Sequence, residues 1–145
     1  MNWTRALIAG VVGGIAVNIA DFIQHGLILG QVYMKYDQVF AQEQANPLYF
    51  LLIAVLSGIF AAIIFAKTRT AWAEGAKGGL AFGLLLGLFT FWLPFYNPLV
   101  IKDFPYYLSW CWGGINLIDG LIFGLIVGLI YKRPASTAPP EAETA

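Results

Sequence analysis

Charge is what this sequence has least of. Only 11% of its 145 residues are Asp, Glu, Lys or Arg, 59% are hydrophobic, and the mean hydropathy is +0.73. Soluble domains carry about 25% charged residues, so this is the composition of a membrane protein. Eight basic and eight acidic residues cancel, which leaves no electrostatic footprint for a nucleic-acid partner. The single cysteine, Cys111, excludes an internal disulfide framework and the usual zinc spacings. The single histidine, His25, excludes a multi-histidine site within one chain. The sequence also lacks Gly-x-Ser-x-Gly, His-Glu-x-x-His and a phosphate-binding loop, so no enzymatic activity is expected.

What is present are long apolar runs. Four of them reach the ~20 residues that a helix needs to cross a bilayer: about Ala6–Tyr33, Leu48–Ala66, Ala76–Leu93 and Leu108–Tyr131. The expected fold is therefore an all-α bundle of four transmembrane helices spanning residues 1–133, in contact with the lipid bilayer. The first run is longer than required and should tilt or project. It is read as a span, not a cleaved signal peptide, because it is long, contains Asp21 and His25, and lacks an Ala-x-Ala site. Arg5, Lys67, Arg69, Lys77, Lys132 and Arg133 flank one side, against Lys35 and Lys102 on the other. This asymmetry places both termini in the cytoplasm, with the protein in a bacterial-type cell (inner) membrane. Tyr33, Tyr36, Tyr49, Trp92, Tyr96, Tyr106, Tyr107 and Trp110 are expected in the outer aromatic belt, and Trp3, Trp72 and Tyr131 in the inner one. Pro94 and Asn97-Pro98 end the third span. Residues 37–44 read as a short interfacial helix with Val39 and Phe40 toward lipid. The tail 134–145 (PASTAPPEAETA) reads as disordered.

Glycines recur four apart inside the spans: Gly10 and Gly14; Gly79, Gly83 and Gly87; Gly120, Gly124 and Gly128. Gly26 and Gly30 form another pair, and Gly58, Ala62 and Ala66 continue the pattern. Lipid offers helices no hydrophobic reason to associate, so flat strips of small residues that permit close backbone approach are the expected packing surfaces. Gly13-Gly14 recurs as Gly78-Gly79, and Lys67 as Lys132, which suggests two parallel two-helix repeats.

Three acid–base residues interrupt the spans. Asp21 and His25 lie one turn apart in the first, which holds no other acid or base between Ala6 and Tyr33, and Asp119 lies in the fourth. A charged residue at the bilayer centre costs about 2.5–3.5 kcal/mol on insertion scales and normally has a partner. On a helical wheel Gly10, Gly14, Asn18, Asp21 and His25 fall within an arc of roughly 80°. In the fourth span Ser109, Trp112, Asn116 and Asp119 share a face with Gly113 and Gly120. Both spans thus carry Asn-x-x-Asp on their small-residue side. If these spans are neighbours, Asn18, Asp21, His25, Asn116 and Asp119 form one intramembrane cluster.

Two roles for that cluster compete. Two carboxyls in a low dielectric cannot both ionise cheaply, and a nearby imidazole can share the proton, so the cluster could bind or relay a proton or small cation. Alternatively, Asp21 bonds to His25 or Asn116 and fixes helix register, where such bonds average about 0.6 kcal/mol. A metal held by Asp21, His25 and Asp119, or haem on His25 with help from a second chain, is a weaker option. Cys111 reads as a packed thiol. The sequence specifies no cofactor, and whether a pigment, quinone or lipid sits between the glycine faces is left open by it.

In span count and in an acid within the first span, the chain resembles small four-span bacterial membrane proteins, including the small multidrug transporters. That resemblance implies an architecture and transfers no residue role. A second acid in the fourth span and a much longer first outer loop depart from it. The leading functional expectation is a proton- or ion-coupled transporter-like bundle. The alternative is a non-catalytic accessory subunit of a larger membrane complex. Homo-oligomer or larger complex, the partners other than lipid are not specified.

Overall fold

A computed structural model describes residues 1–41 and 46–131. The tail 134–145, Lys132, Arg133 and part of the segment expected as an interfacial helix lie outside the described residues. Within the described residues the chain is helical throughout, with four helices long and apolar enough to cross a membrane. The expected all-α four-helix bundle is what is found.

Helix α1 spans Trp3–Asp21 and starts at Asn2, whose Oδ1 accepts from Arg5 N at 3.0 Å. The cap satisfies one of the donors that a helix start leaves open. The chain then continues as a π-helix over Phe22–Ile28 and breaks at Leu29 before a short helix α2, Gly30–Lys35. The first span is therefore not one regular helix to Tyr33. Leu29 N donates to Gln24 O, five residues back, at 3.0 Å, and this i→i+5 closure is the wider π geometry.

Helix α3, Pro47–Lys67, begins in the same way. Asn46 Oδ1 accepts from Leu48 N at 3.0 Å, with Pro47 where its missing N–H costs nothing. Helix α4 covers Gly75–Phe91 and passes into a 3-10 turn, Leu93–Tyr96, and a short α5, Asn97–Val100. Helix α6 is the longest, Tyr106–Ile130.

The long helices pack in the order α3–α1–α6–α4. The two outer pairs are glycine-locked hairpins. A Cβ at Gly58 would lie 2.4 Å from Gly10 O and 3.0 Å from Gly14 Cα; one at Gly124 would lie 2.3 Å from Gly79 O and 2.6 Å from Gly83 Cα. Both hairpins thus use one contact, backbone on backbone, which packs helices where lipid offers no hydrophobic drive. Gly120 reaches Gly83 and Gly87, and Gly128 reaches Gly75 and Gly79, in the same way. These strips join helices within the chain. Gly26 and Gly30 do not take part: a Cβ there meets nothing closer than 3.4 Å and 4.0 Å, respectively.

The central seam, α1 against α6, is built differently. Phe123 fills the space over Gly13, and Asn2 N donates to Tyr131 Oη at 2.9 Å at one end. At this end, which also carries the α3–α4 connection, Phe65 and Phe82 meet at 5.1 Å between ring centroids and join the outer helices, with Trp72 and Tyr131 beside them. Arg69, 6% exposed, lies 5.5 Å from the Phe65 ring, pairs with Glu74 at 2.6 Å and donates to the Trp72 and Tyr131 carbonyls. Tyr131 is accordingly a buried packing residue and not part of a membrane-interface belt.

The opposite end holds a second cluster. Tyr33, Phe104 and Leu108 are buried there, with Phe40, Cys111 and Trp112 against them. Tyr33, expected in the outer belt, is 3% exposed. Phe40, expected to face lipid, instead packs on Tyr33, Phe104 and Trp112 at centroid distances of 5.0, 5.8 and 6.0 Å. Residues 36–39 form turns, so the predicted helix over 37–44 is not seen in its described part. Burying Phe40 in an aromatic cluster satisfies it better than lying along an interface.

Candidate functional site

Between the two aromatic clusters lies a cavity of about 830 Å3, lined by all four long helices. Asn18, Asp21 and His25 reach it from the first span, and Asn116 and Asp119 from the fourth. All five residues expected to cluster therefore line one space. Phe22, Phe50 and Ile53, 65%, 58% and 62% exposed, lie on its rim, so the cavity meets the lipid-facing surface.

Asp21 and Asp119 enter this space from opposite sides of the α1–α6 seam. Asp119 is 8% exposed and its Oδ1 accepts from Gln24 Nε2 at 3.0 Å. On an ideal helical wheel Gln24 falls outside the small-residue arc. It lies instead on the side of Ala6 and Gly13, the side that Phe123 of the fourth span covers, and so it reaches Asp119. The sequence does not say which side of the first span meets the fourth; a lone Gln within an apolar span was the only signal.

His25 is turned toward the loop-end cluster. Its Nε2 lies 3.8 Å from Asp21 Oδ1, and its Nδ1 is hydrogen-bonded to Tyr33 Oη. Trp112 Nε1, a donor only, donates to the same Tyr33 oxygen at 2.7 Å. The Tyr33 hydroxyl is then free to donate to Nδ1. That arrangement leaves the ring proton of neutral His25 on Nε2, facing Asp21. Trp112, Tyr33, His25 and Asp21 so form a continuous polar chain leading to the carboxyl pair. Tyr33 was the member that sequence reasoning assigned elsewhere, because an aromatic residue near a span end reads as an interface anchor.

Asn116 has a different bond. Its Nδ2 donates to Thr90 O at 2.9 Å. Pro94 has no N–H with which to reach that carbonyl, four residues before it, and Asn116 supplies the donor. Ser109, fully buried, makes a similar tie: its Oγ donates at 3.0 Å to Pro94 O, which also accepts from Asn97 N. Asn116 therefore ties α6 to the end of α4, and Asp21 is not its partner.

No family model, curated protein or solved structure matches the chain.

Proposed function

We propose that this small membrane protein is a carrier coupled to protons or cations, with Asp21 and Asp119 as the exchange site. The observation that supports the reading is the presence of two carboxyls, Asp21 and Asp119, in the wall of one 830 Å3 intramembrane cavity. Acids inside a membrane span are costly without a positive partner, and a proton or cation bound in this cavity would supply one. Intramembrane acids facing a cavity commonly mark such pathways. His25, 3.8 Å from Asp21 and bonded to Tyr33 toward the loop end, is the neighbouring group that can take up and release a proton.

The fold also suggests which parts move. Each glycine-locked hairpin is a unit that backbone contact keeps rigid, while the α1–α6 seam is held by side chains and polar bonds. Rocking of one hairpin on the other about a site at their interface is the general form of alternating access. The aromatic cluster around Phe65 and Phe82 would act as the closed side.

The test is flux in proteoliposomes. Asp21→Asn and Asp119→Asn are expected to insert and fold as the parent does and to lose at least tenfold in proton-driven flux. Failure of both variants to accumulate would make the pair structural and overturn the reading. The accessory-subunit reading draws on α3, the least enclosed span, with Leu48, Phe60 and Ile64 more than half exposed. It requires stoichiometric larger partners when the protein is purified in mild detergent.

A further inference from the structure

The walls of the cavity differ in kind. Its floor is the α1–α6 seam, lined by Asn18, Asp21, Asn116 and Asp119, and its sides are the outer helices. α3 and α4 meet through Phe65 and Phe82 at one end, and beyond that contact the cavity separates them. On α3 the lining residues Ala54, Ser57, Gly58 and Ala61 follow the i, i+3, i+4, i+7 spacing of one helix face. That side is therefore a strip of small residues. The α3 lining runs from Pro47 to Ala61, about 21 Å at 1.5 Å per residue. The cavity is a groove parallel to α3, open to lipid at its rim.

Shape and charge together name an occupant. A helix of that length and about 10 Å across fills about 1,600 Å3. A cavity of about 830 Å3 takes roughly half of its thickness and leaves the other half to lipid. Small residues on α3 permit the close backbone approach by which helices pair in membranes. The groove holds two acids and, among the described residues, no Lys or Arg. Arg5, Lys35, Lys67, Arg69, Lys77 and Lys102 all lie near or beyond the ends of the spans. Intramembrane acids are normally kept with a partner, and the only basic side chain near this pair is His25. A second copy of the chain would bring further acids, and a lipid tail would bring no charge.

We propose that the groove docks a transmembrane helix of a different protein, one that carries a single Lys or Arg near its middle. The helix lies along the small-residue strip of α3, and its basic side chain reaches the floor at Asp21 and Asp119. It occupies the carboxyls that the carrier reading assigns to the exchanged proton or cation, so docking and transport exclude each other and the partner acts as an inhibitor. The docking site itself goes beyond the carrier reading and stands without it.

Energy transfer in lipid vesicles, from the tryptophans of the full chain to a dansyl group on a synthetic peptide, tests this. The probe is a Leu/Ala transmembrane helix with one central Lys, and its control has Leu at that position. The Lys peptide should bind at least about tenfold more tightly than the Leu peptide, as a desolvated charge pair allows. Asp21→Asn combined with Asp119→Asn should reduce it to the level of the control. Ser57→Phe, which puts a ring into the groove from α3, should weaken the Lys peptide comparably. Equal binding of the two peptides, or a Lys preference that survives both Asn substitutions, would overturn the proposal. Binding unaffected by Ser57→Phe would overturn it even if the acid variants fail to fold. Self-association that shuts the Lys peptide out would place a second copy in the groove and overturn it too. Flux, where the parent shows it, should fall as the Lys peptide saturates, and undiminished flux would overturn the sharing of the acids. The carrier reading fails separately: docking without any flux removes the carrier and leaves the groove, whereas proton-driven flux with no Lys preference in binding does the reverse.

Discussion

Gln24 Nε2 donates to Asp119 Oδ1 at 3.0 Å, a bond made from the π-helical segment that follows Asp21 in the first span. π-turns inside longer helices occur often at functional sites. Here the turn carries both Gln24 and His25, so one irregular segment of the first span addresses both the Asp119 carboxyl and the polar chain through Tyr33.

Gln24→Leu should therefore separate function from stability. Interhelical hydrogen bonds in membranes are worth about 0.6 kcal/mol, at most about 1.7, so the variant should accumulate and melt within a few degrees of the parent. Flux or cation binding should fall at least tenfold. Thermal melting in detergent beside a binding assay reads both. A variant that melts early and binds normally would make Gln24 simple glue.

The two aromatic-chain residues offer a second test. Tyr33→Phe removes the acceptor of Trp112 Nε1 and the hydroxyl bonded to His25 Nδ1, while leaving the packing against Phe40. Proton transfer to the pair should slow, so stopped-flow proton uptake should drop several-fold while equilibrium cation affinity changes less than threefold. Equal loss in both would mean that Tyr33 shapes the cavity and does not conduct protons.

Glycine substitutions should divide sharply by position. A Cβ at Gly124 would lie 2.3 Å from Gly79 O, whereas one at Gly114 meets nothing within 4 Å. Gly124→Ala forces α4 and α6 apart and should cost about 1–3 kcal/mol. Gly114→Ala should be neutral or stabilising by up to about 1 kcal/mol, since Ala favours helix over Gly. Unfolding in mixed micelles checks the pair, and similar losses at both sites would contradict the backbone-contact packing.

Asn116 and Pro94 should show a compensating relationship. Asn116→Leu leaves the Thr90 carbonyl with only the backbone bond from Trp92 N, at about 0.5–1.5 kcal/mol. Adding Pro94→Ala restores a backbone N–H nearby, so the double variant should recover at least half of that loss. Additive losses in this cycle would show that Asn116 does not serve the orphaned carbonyl.

The spans, the glycine strips and the cluster around Asp21 and Asp119 were legible in the sequence because each rests on periodicity or on hydrophobic cost. Small residues four apart declare a helix face, and an acid in an apolar run declares itself by its expense. Less legible were features set by tertiary context. The π-helix has no pattern of its own in Phe22–Ile28, so the first span was read as regular to Tyr33; Gln24 was missed because the sequence does not say which side of that span meets the fourth. Tyr33, Phe40 and Tyr131 carry the residue types of an interface belt, yet neighbouring aromatics and hydrogen bonds bury Tyr33 and Tyr131 and draw Phe40 inward. Asn116 shares a face with Asp119, but the carbonyl left open by Pro94, on another span, decides its bond.

Coupling is tested most directly by lumenal pH in proteoliposomes carrying a trapped pH dye, on imposing an inward gradient of a small cation such as sodium. Exchange at the carboxyl pair requires protons to leave as the cation enters, so the lumen should become alkaline with the parent protein and remain unchanged with folded Asp119→Asn. A lumen that holds its pH with the parent, or an Asp119→Asn variant that alkalinises it equally, would contradict a proton-exchanging role for the Asp21–Asp119 pair.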